Sequence, residues 1–407
     1  MGTKGLSLLL AATGVVGALI APATSAAPAH TGHRWTGAWT TSVQRPMGAT
    51  WQGDNWSLDG FAGESVRQVV RISGGGTQLR IRLSNRYGTS PLRLAGATVA
   101  KAGDGASIRP HTARPLRFDR SQSTVIPAGA DAVSDATLLP TSALDRLTVT
   151  LYFAAPTGPA TFHEAATATT YRTKGDHRFD ADGGAFTAES HSWYYLSGVD
   201  VAAGPVRSAV VAFGDSITDG VSATKDADHR YPDQLAERLV ASRRPLAVLN
   251  AGIAGNQVLG DSDCCGDSAL ARFHRDVLDQ PGVRSVIVTQ ALNDIGFNPE
   301  VTGARLIDAH RKLIRAAHDR GIRIIGGTVT PMKGSMLDSP RGEQVRGEVN
   351  HWIRTSGEYD AVVDFDAVLA DPADPAALRA EFDAGDRLHP NDAGLRAMAD
   401  AIDLSTL

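Results

Sequence analysis

Residues 208–220 read Ser-Ala-Val-Val-Ala-Phe-Gly-Asp-Ser-Ile-Thr-Asp-Gly: a short uncharged apolar run, then a glycine and a serine in a tight exit. A brief apolar run bounded by turn residues reads as a strand buried on both faces. Similar runs recur at Leu246–Ala251, Val283–Val288, Arg323–Val329 and Ala361–Phe365. Windows of helical spacing fall between and after them, at Tyr231–Arg243, Ala269–Asp279, Gly303–Arg320, Arg341–Ile353 and Asn391–Ile402. In the third window Leu306, Ala309, Leu313 and Ala316 form a stripe at steps of three and four. This alternation predicts an α/β region over 207–407, a three-layer α/β/α sandwich around a mostly parallel sheet. Ligands in such sheets bind beyond the carboxyl ends of the strands.

Upstream of the Ala-Ala-Gly-Pro linker (202–205) the texture differs. Leu79, Ile81 and Leu83 alternate with Arg80 and Arg82, and Leu147, Val149, Leu151 and Phe153 alternate with Thr148, Thr150 and Tyr152. Period-2 patterns put one face on a core and the other toward solvent. Turn signals at 73–77, 86–91 and 181–184 separate them, and long helical windows are absent before residue 230. An all-β antiparallel sandwich over 33–201 is the expectation. The 42 glycines among 407 residues fit such a turn-rich half.

At the start, Lys4 precedes an uncharged stretch, Gly5–Ile20, and then small residues from Ala21 to Ala29. That order predicts a signal peptide over 1–29, and hence secretion. The apolar run is too short for the ~20 residues that span a bilayer, so no stable membrane insertion is expected. With 40 basic and 44 acidic residues, net charge −4, nothing favours nucleic acid as a partner. Two adjacent cysteines, Cys264 and Cys265, leave three alternatives: free thiols, a vicinal bridge or an intermolecular bond. There is no His-Glu-x-x-His and no Cys/His cluster, so no metal is expected.

Four segments sit at predicted strand ends. Ser216 follows Gly214-Asp215 in a strand-exit turn that can present a hydroxyl as nucleophile. Asn250-Ala-Gly-Ile-Ala-Gly255-Asn256 supplies glycines that let backbone N–H groups approach an anion. Gln290-Ala-Leu-Asn293-Asp294 offers an amide that can face a developing oxyanion. Asp386-Arg-Leu-His389 pairs a carboxylate with an imidazole three residues on, one orienting and the other taking a proton. Each alone is also an ordinary loop, turn or helix cap.

Together and in this order, the four blocks resemble the SGNH hydrolases, or GDSL esterases and lipases, over about residues 207–405. The resemblance implies a flavodoxin-like fold, a Ser216–His389–Asp386 triad, and an oxyanion hole made by the N–H groups of Ser216 and Gly255 and the Asn293 side chain. It departs at Ala291, where the family has glycine; an added methyl is harmless at negative φ and strained at positive φ. Trp35–Trp39, Val66–Ser73 and Leu83–Gly88 more loosely resemble the jelly-roll-like or carbohydrate-binding domain preceding secreted bacterial members. Trp51, Trp56 and Trp193 are then candidates for stacking on sugar rings, core packing being the commoner role of a tryptophan. The implied activity is hydrolysis of short acyl esters, of small molecules or polysaccharides, by a monomer without cofactor. Lipase, lysophospholipase and acyltransferase chemistry at the same site are the alternatives, and a non-catalytic carbohydrate-binding protein is a remoter one.

Overall fold

Apolar side chains two apart on neighbouring strands meet across the first half of the chain and build one core. The computed structural model describes residues 1–2, 34–50 and 53–407, so most of the expected leader and Trp51 lie outside the described residues. Strands β1 (Thr36–Thr40), β2 (Glu64–Arg71), β3 (Gln78–Ser84), β4 (Gly96–Lys101), β5 (Arg146–Phe153), β6 (Thr170–Lys174) and β7 (Leu196–Ala202) form two sheets. One runs β1-β7-β3 and the other β6-β2-β5-β4, all antiparallel, with shorter strands at their edges. Leu79, Ile81, Leu83, Leu147, Val149, Leu151 and Phe153 are all buried in the core between them.

The second face of β5 corrects the expected solvent exposure: Thr148 and Thr150 are buried as well. Arg67 on β2 is the reason. Its fully buried guanidinium donates to Thr150 Oγ1 and to the carbonyls of Ala106, His177 and Asp180, which draws those loops over the sheet. Trp56 and Trp193 are also buried. Trp56 stacks on Tyr194 at 5.5 Å and Trp193 meets Trp39 edge-on at 4.9 Å. Neither presents a free ring face for a sugar, because aromatic area is worth more in a core than in water.

Strands β8 (Ser208–Gly214), β9 (Leu246–Gly252), β10 (Val283–Thr289), β11 (Arg323–Gly327) and β12 (Ala361–Val363) form a wholly parallel sheet in the order β9-β8-β10-β11-β12. This is the flavodoxin-type order 2-1-3-4-5, whose switch point lies beside β8. The helices are α1 (Ser216–Asp219), α2 (Tyr231–Ala241), α3 (Ala269–Phe273, continued by one π turn), α4 (Leu292–Phe297), α5 (Gly303–His318), α6 (Pro340–Thr355), α7 (Phe365–Leu369) and α8 (Asp392–Ala401). Helix α2 packs with α8, while α5 packs with α3 and α6. Strand β12 is shorter than expected because Asp364 caps α7 by accepting from the Ala367 N–H.

Residues Arg34–Leu407 form one compact unit. The sandwich reaches the parallel sheet through backbone and side-chain bonds: Gly37 N–H donates to Pro281 O at 2.8 Å, and Ser73 Oγ donates to Val248 O at 2.7 Å. Among the described residues no helix is long and apolar enough to cross a membrane.

Candidate active site

Strand β8 ends at Gly214, and the chain turns at once into α1, only four residues long. Asp215 caps that helix by accepting from the Ile217 N–H at 3.1 Å, and Gly220 closes it with a positive φ of 93°. Ser216 is thus held as the first helical residue, its N–H and hydroxyl at the carboxyl edge of the sheet. Asp215 is fully buried, and that burial pushes its carboxyl up to about 6 against the Ile217 hydrogen bond.

Before α8 the chain makes a tight turn through Arg387, φ 62°. His389 Nε2 lies 2.9 Å from Ser216 Oγ, and His389 Nδ1 lies 2.6 Å from Asp386 Oδ2. The other oxygen, Oδ1, accepts from the N–H groups of Leu388 and His389. Burial alone raises the Asp386 carboxyl, but these donors prevail and hold it well below the usual carboxylate range. The carboxylate therefore keeps the Nδ1 proton in place and leaves Nε2 free to accept the serine proton.

Gly255 and Asn293 face the same cleft, of about 590 Å³, as Ser216, Asp386 and His389. Gly255 has φ 73°, and a Cβ there would come within 2.6 Å of Cys265 Sγ, so only glycine fits. Among the described residues neither the Ser216 nor the Gly255 N–H has a protein acceptor. Asn293, in the first turn of α4, is buried and donates one amide hydrogen to Asn256 O at 3.1 Å, which leaves the other for a ligand. All the residues singled out in the four blocks are therefore brought to one place. The cleft's remaining wall is largely apolar, with Val221, Phe297, Met336, Leu337 and Leu388, and it also includes Ser222, Gln257 and Ser262 and the bonded pair Cys264–Cys265 beside Gly255. Of the three cysteine alternatives, the vicinal bridge is the one formed.

The GDSL-like lipase/acylhydrolase family matches residues 212–397. That segment belongs to the family. Solved structures similar to the chain include a GDSL-like lipase from Bacteroides thetaiotaomicron (16% identity, 49% of this chain and 88% of that one, TM-score 0.38). They also include the acetyl xylan esterase AlAXEase (20%, 47% and 96%, 0.37) and the native aryl esterase of M. smegmatis (16%, 48% and 95%, 0.40). No curated protein matches the chain.

Within this GDSL-family segment the backbone answers the question posed by Ala291. Its φ is 110°, the side of the map where a methyl is strained, yet it is fully buried and packs in the core. Three residues that block reading left unassigned hold the cleft in shape. Asn256 uses its amide to tie Cys265 O and Asp267 O, while its Oδ1 accepts from Arg272 and Gln290. Arg272 is fully buried and also donates to Gly214 O, Ala251 O, Ser42 Oγ and Asp276. Burial lowers its guanidinium to about 10 in spite of the Asp276 charge. Asp294 accepts from the N–H groups of Val258 and Leu259, and burial pushes its carboxyl up to about 6. One signal for Arg272 was available: with Ala269, Phe273 and Asp276 it lies on one face of the predicted helix.

Proposed function

We propose that this protein is a secreted serine hydrolase that cleaves carboxylic esters through an acyl-enzyme on Ser216. The observation that carries the reading is the hydrogen-bonded line Ser216–His389–Asp386 opening on a cleft with two unpaired N–H groups. His389 Nε2 takes the hydroxyl proton as Ser216 Oγ attacks the ester carbonyl. The N–H groups of Ser216 and Gly255 and the free Asn293 amide hydrogen then hold the oxyanion. Collapse of the tetrahedral adduct expels the alcohol with the proton from His389, and water, activated by the same imidazole, releases the acid. Asp386 orients the ring and offsets the charge that it carries meanwhile.

The apolar side chains of the wall support an acyl portion of modest size, since about 590 Å³ lies within the ~300–1,000 Å³ usual for small-ligand sites. Of the tryptophans offered for sugar stacking, Trp56 and Trp193 lie in the core. Export rests on the leader-like order of residues 1–29. A chain-length series of p-nitrophenyl esters tests the reading: turnover is expected for short chains in wild type and absent in Ser216→Ala. Undiminished turnover by Ser216→Ala refutes it.

A further inference from the structure

The sandwich carries a buried histidine whose ring reaches a carboxylate of the family segment. His163 Nε2 lies 3.0 Å from Asp219 Oδ1, and its Nδ1 lies 2.8 Å from Ser42 O. Both side chains of the pair are almost wholly shielded from water. The ring also stacks on Trp193 at 5.5 Å. Asp219 is the last residue of α1, the same four-residue helix that begins with Ser216. Its second oxygen, Oδ2, accepts from the Ala254 N–H at 2.9 Å, and the next residue is Gly255.

From this juxtaposition we propose that His163 is a positioning residue for ester cleavage: through Asp219 it fixes α1 and the Ala254–Gly255 peptide, and so two of the three oxyanion donors. The inference rests on the hydrolase reading above. A four-residue helix has no stability of its own, so α1 depends on what it touches. Both carboxylate oxygens of Asp219 are committed, one to the sandwich and one to the oxyanion loop. Ala165 of the sandwich packs with Val221 and Ala254 in a small buried cluster, a second and apolar tie between the same elements. The approach is close: a Cβ on Gly252 would meet the Asp219 N at 2.2 Å, so the loop cannot be displaced toward α1. Without His163, Asp219 Oδ1 is buried and unpaired, and it must turn to find water or another donor. That turn releases the Ala254 N–H and lets the Gly255 N–H drift from the oxyanion.

The test is steady-state hydrolysis of p-nitrophenyl acetate by the full chain, with folding followed by circular dichroism at the assay temperature. His163→Ala and Asp219→Ala should each lower kcat by about 10- to 100-fold, the effect of an ångström-scale misplacement, with KM changed less than about threefold. Asp219→Asn, which can still accept from Ala254 and donate to a neutral imidazole, should recover most of the loss. Adding His163→Ala to Asn293→Ala should cost less than it does in wild type, because both act on one oxyanion. Unchanged kcat in His163→Ala, a loss confined to KM, or equal impairment in Asp219→Asn and Asp219→Ala overturns the proposal. If His163→Ala does not fold, the Asp219 pair carries the same decision. Ser216→Ala separates the two levels: activity surviving in it sinks the hydrolase reading itself, whereas a dead Ser216→Ala beside a fully active His163→Ala sinks only the positioning role.

Discussion

Replacing Asn293 with alanine should lower kcat by roughly 10²–10³ and leave KM close to wild type. One amide hydrogen is already spent on Asn256 O at 3.1 Å, which locks the side chain so that the other faces the cleft. The amide is buried, and water replaces it poorly. At about 1.4 kcal/mol per tenfold, the expected loss is about 2.7–4 kcal/mol of transition-state stabilisation. The same truncation removes one neutral hydrogen bond from the fold, worth about 1 kcal/mol. Activity should therefore fall far more than stability does. Asn293→Asp keeps the shape but brings a carboxylate toward the growing negative charge, and it should be slower still than alanine. The assay is kcat and KM on p-nitrophenyl acetate, with a urea titration of each variant alongside. A kcat within about twofold of wild type, or a loss appearing wholly in KM, refutes the oxyanion assignment.

Three further outcomes follow from the same geometry. Asp386→Asn removes the group that keeps the proton on His389 Nδ1; because its side chain is half exposed, kcat should drop roughly 10²–10³, less than the ~10⁴ known for a buried carboxylate, and an unaltered kcat contradicts the orienting role. Asp215 has a raised carboxyl pKa, about 6 against ~3.9 unfolded, so ionisation opposes folding above pH ~6 and the penalty disappears below pH ~4, where both states are protonated. Asp215→Asn still accepts from Ile217 and should gain up to about 3 kcal/mol at pH 8 and nothing near pH 3.5; urea midpoints equal to wild type at both pH values exclude this. Ala291→Gly relieves a methyl at φ 110° and should stabilise the fold by about 0.5–1 kcal/mol, so a lowered urea midpoint counts against strain there.

How much of this was legible in the chain depends on range. The parallel sheet was legible because apolar runs and helical stripes are local, and each of the five runs became a strand with ends within a few residues of expectation. The candidate site was legible in part: Ser216, Gly255 and Asn293 follow the carboxyl ends of β8, β9 and β10 in chain order, whereas Asp386 and His389 come not from a strand end, as expected, but from the turn before α8, well past the end of β12. The roles of Trp56 and Trp193 were not, since an aromatic ring has the same pattern whether it faces a core or a sugar; the positions of Tyr194 and Trp39 decide. Nor was the sign of φ at Ala291, which follows from how α4 leaves β10. His163 was missed because its partners are 56 and 121 positions away and lie on different layers.

Those long-range contacts bear on why a sandwich precedes the hydrolase segment at all. A fully buried guanidinium is costly unless its donors are met, and Arg272 meets its own within the hydrolase segment and, at Ser42, across the junction. Gly214 O and Ala251 O come from β8 and β9, Asn256 from the oxyanion loop, and Ser42 Oγ from the sandwich. Nearby, Gln44 holds Cys264 O while Arg45 and Tyr87 bind Asp267, so the loop carrying the Cys264–Cys265 bridge is gripped from the sandwich side. The carboxyl ends of β8 and β9 are thus completed by residues more than a hundred positions upstream. Oxyanion donors act by being fixed before charge develops, and a loop rich in glycine fixes nothing by itself. On the proposed reading the sandwich contributes to that fixing through Ser42, Gln44, Arg45 and Tyr87.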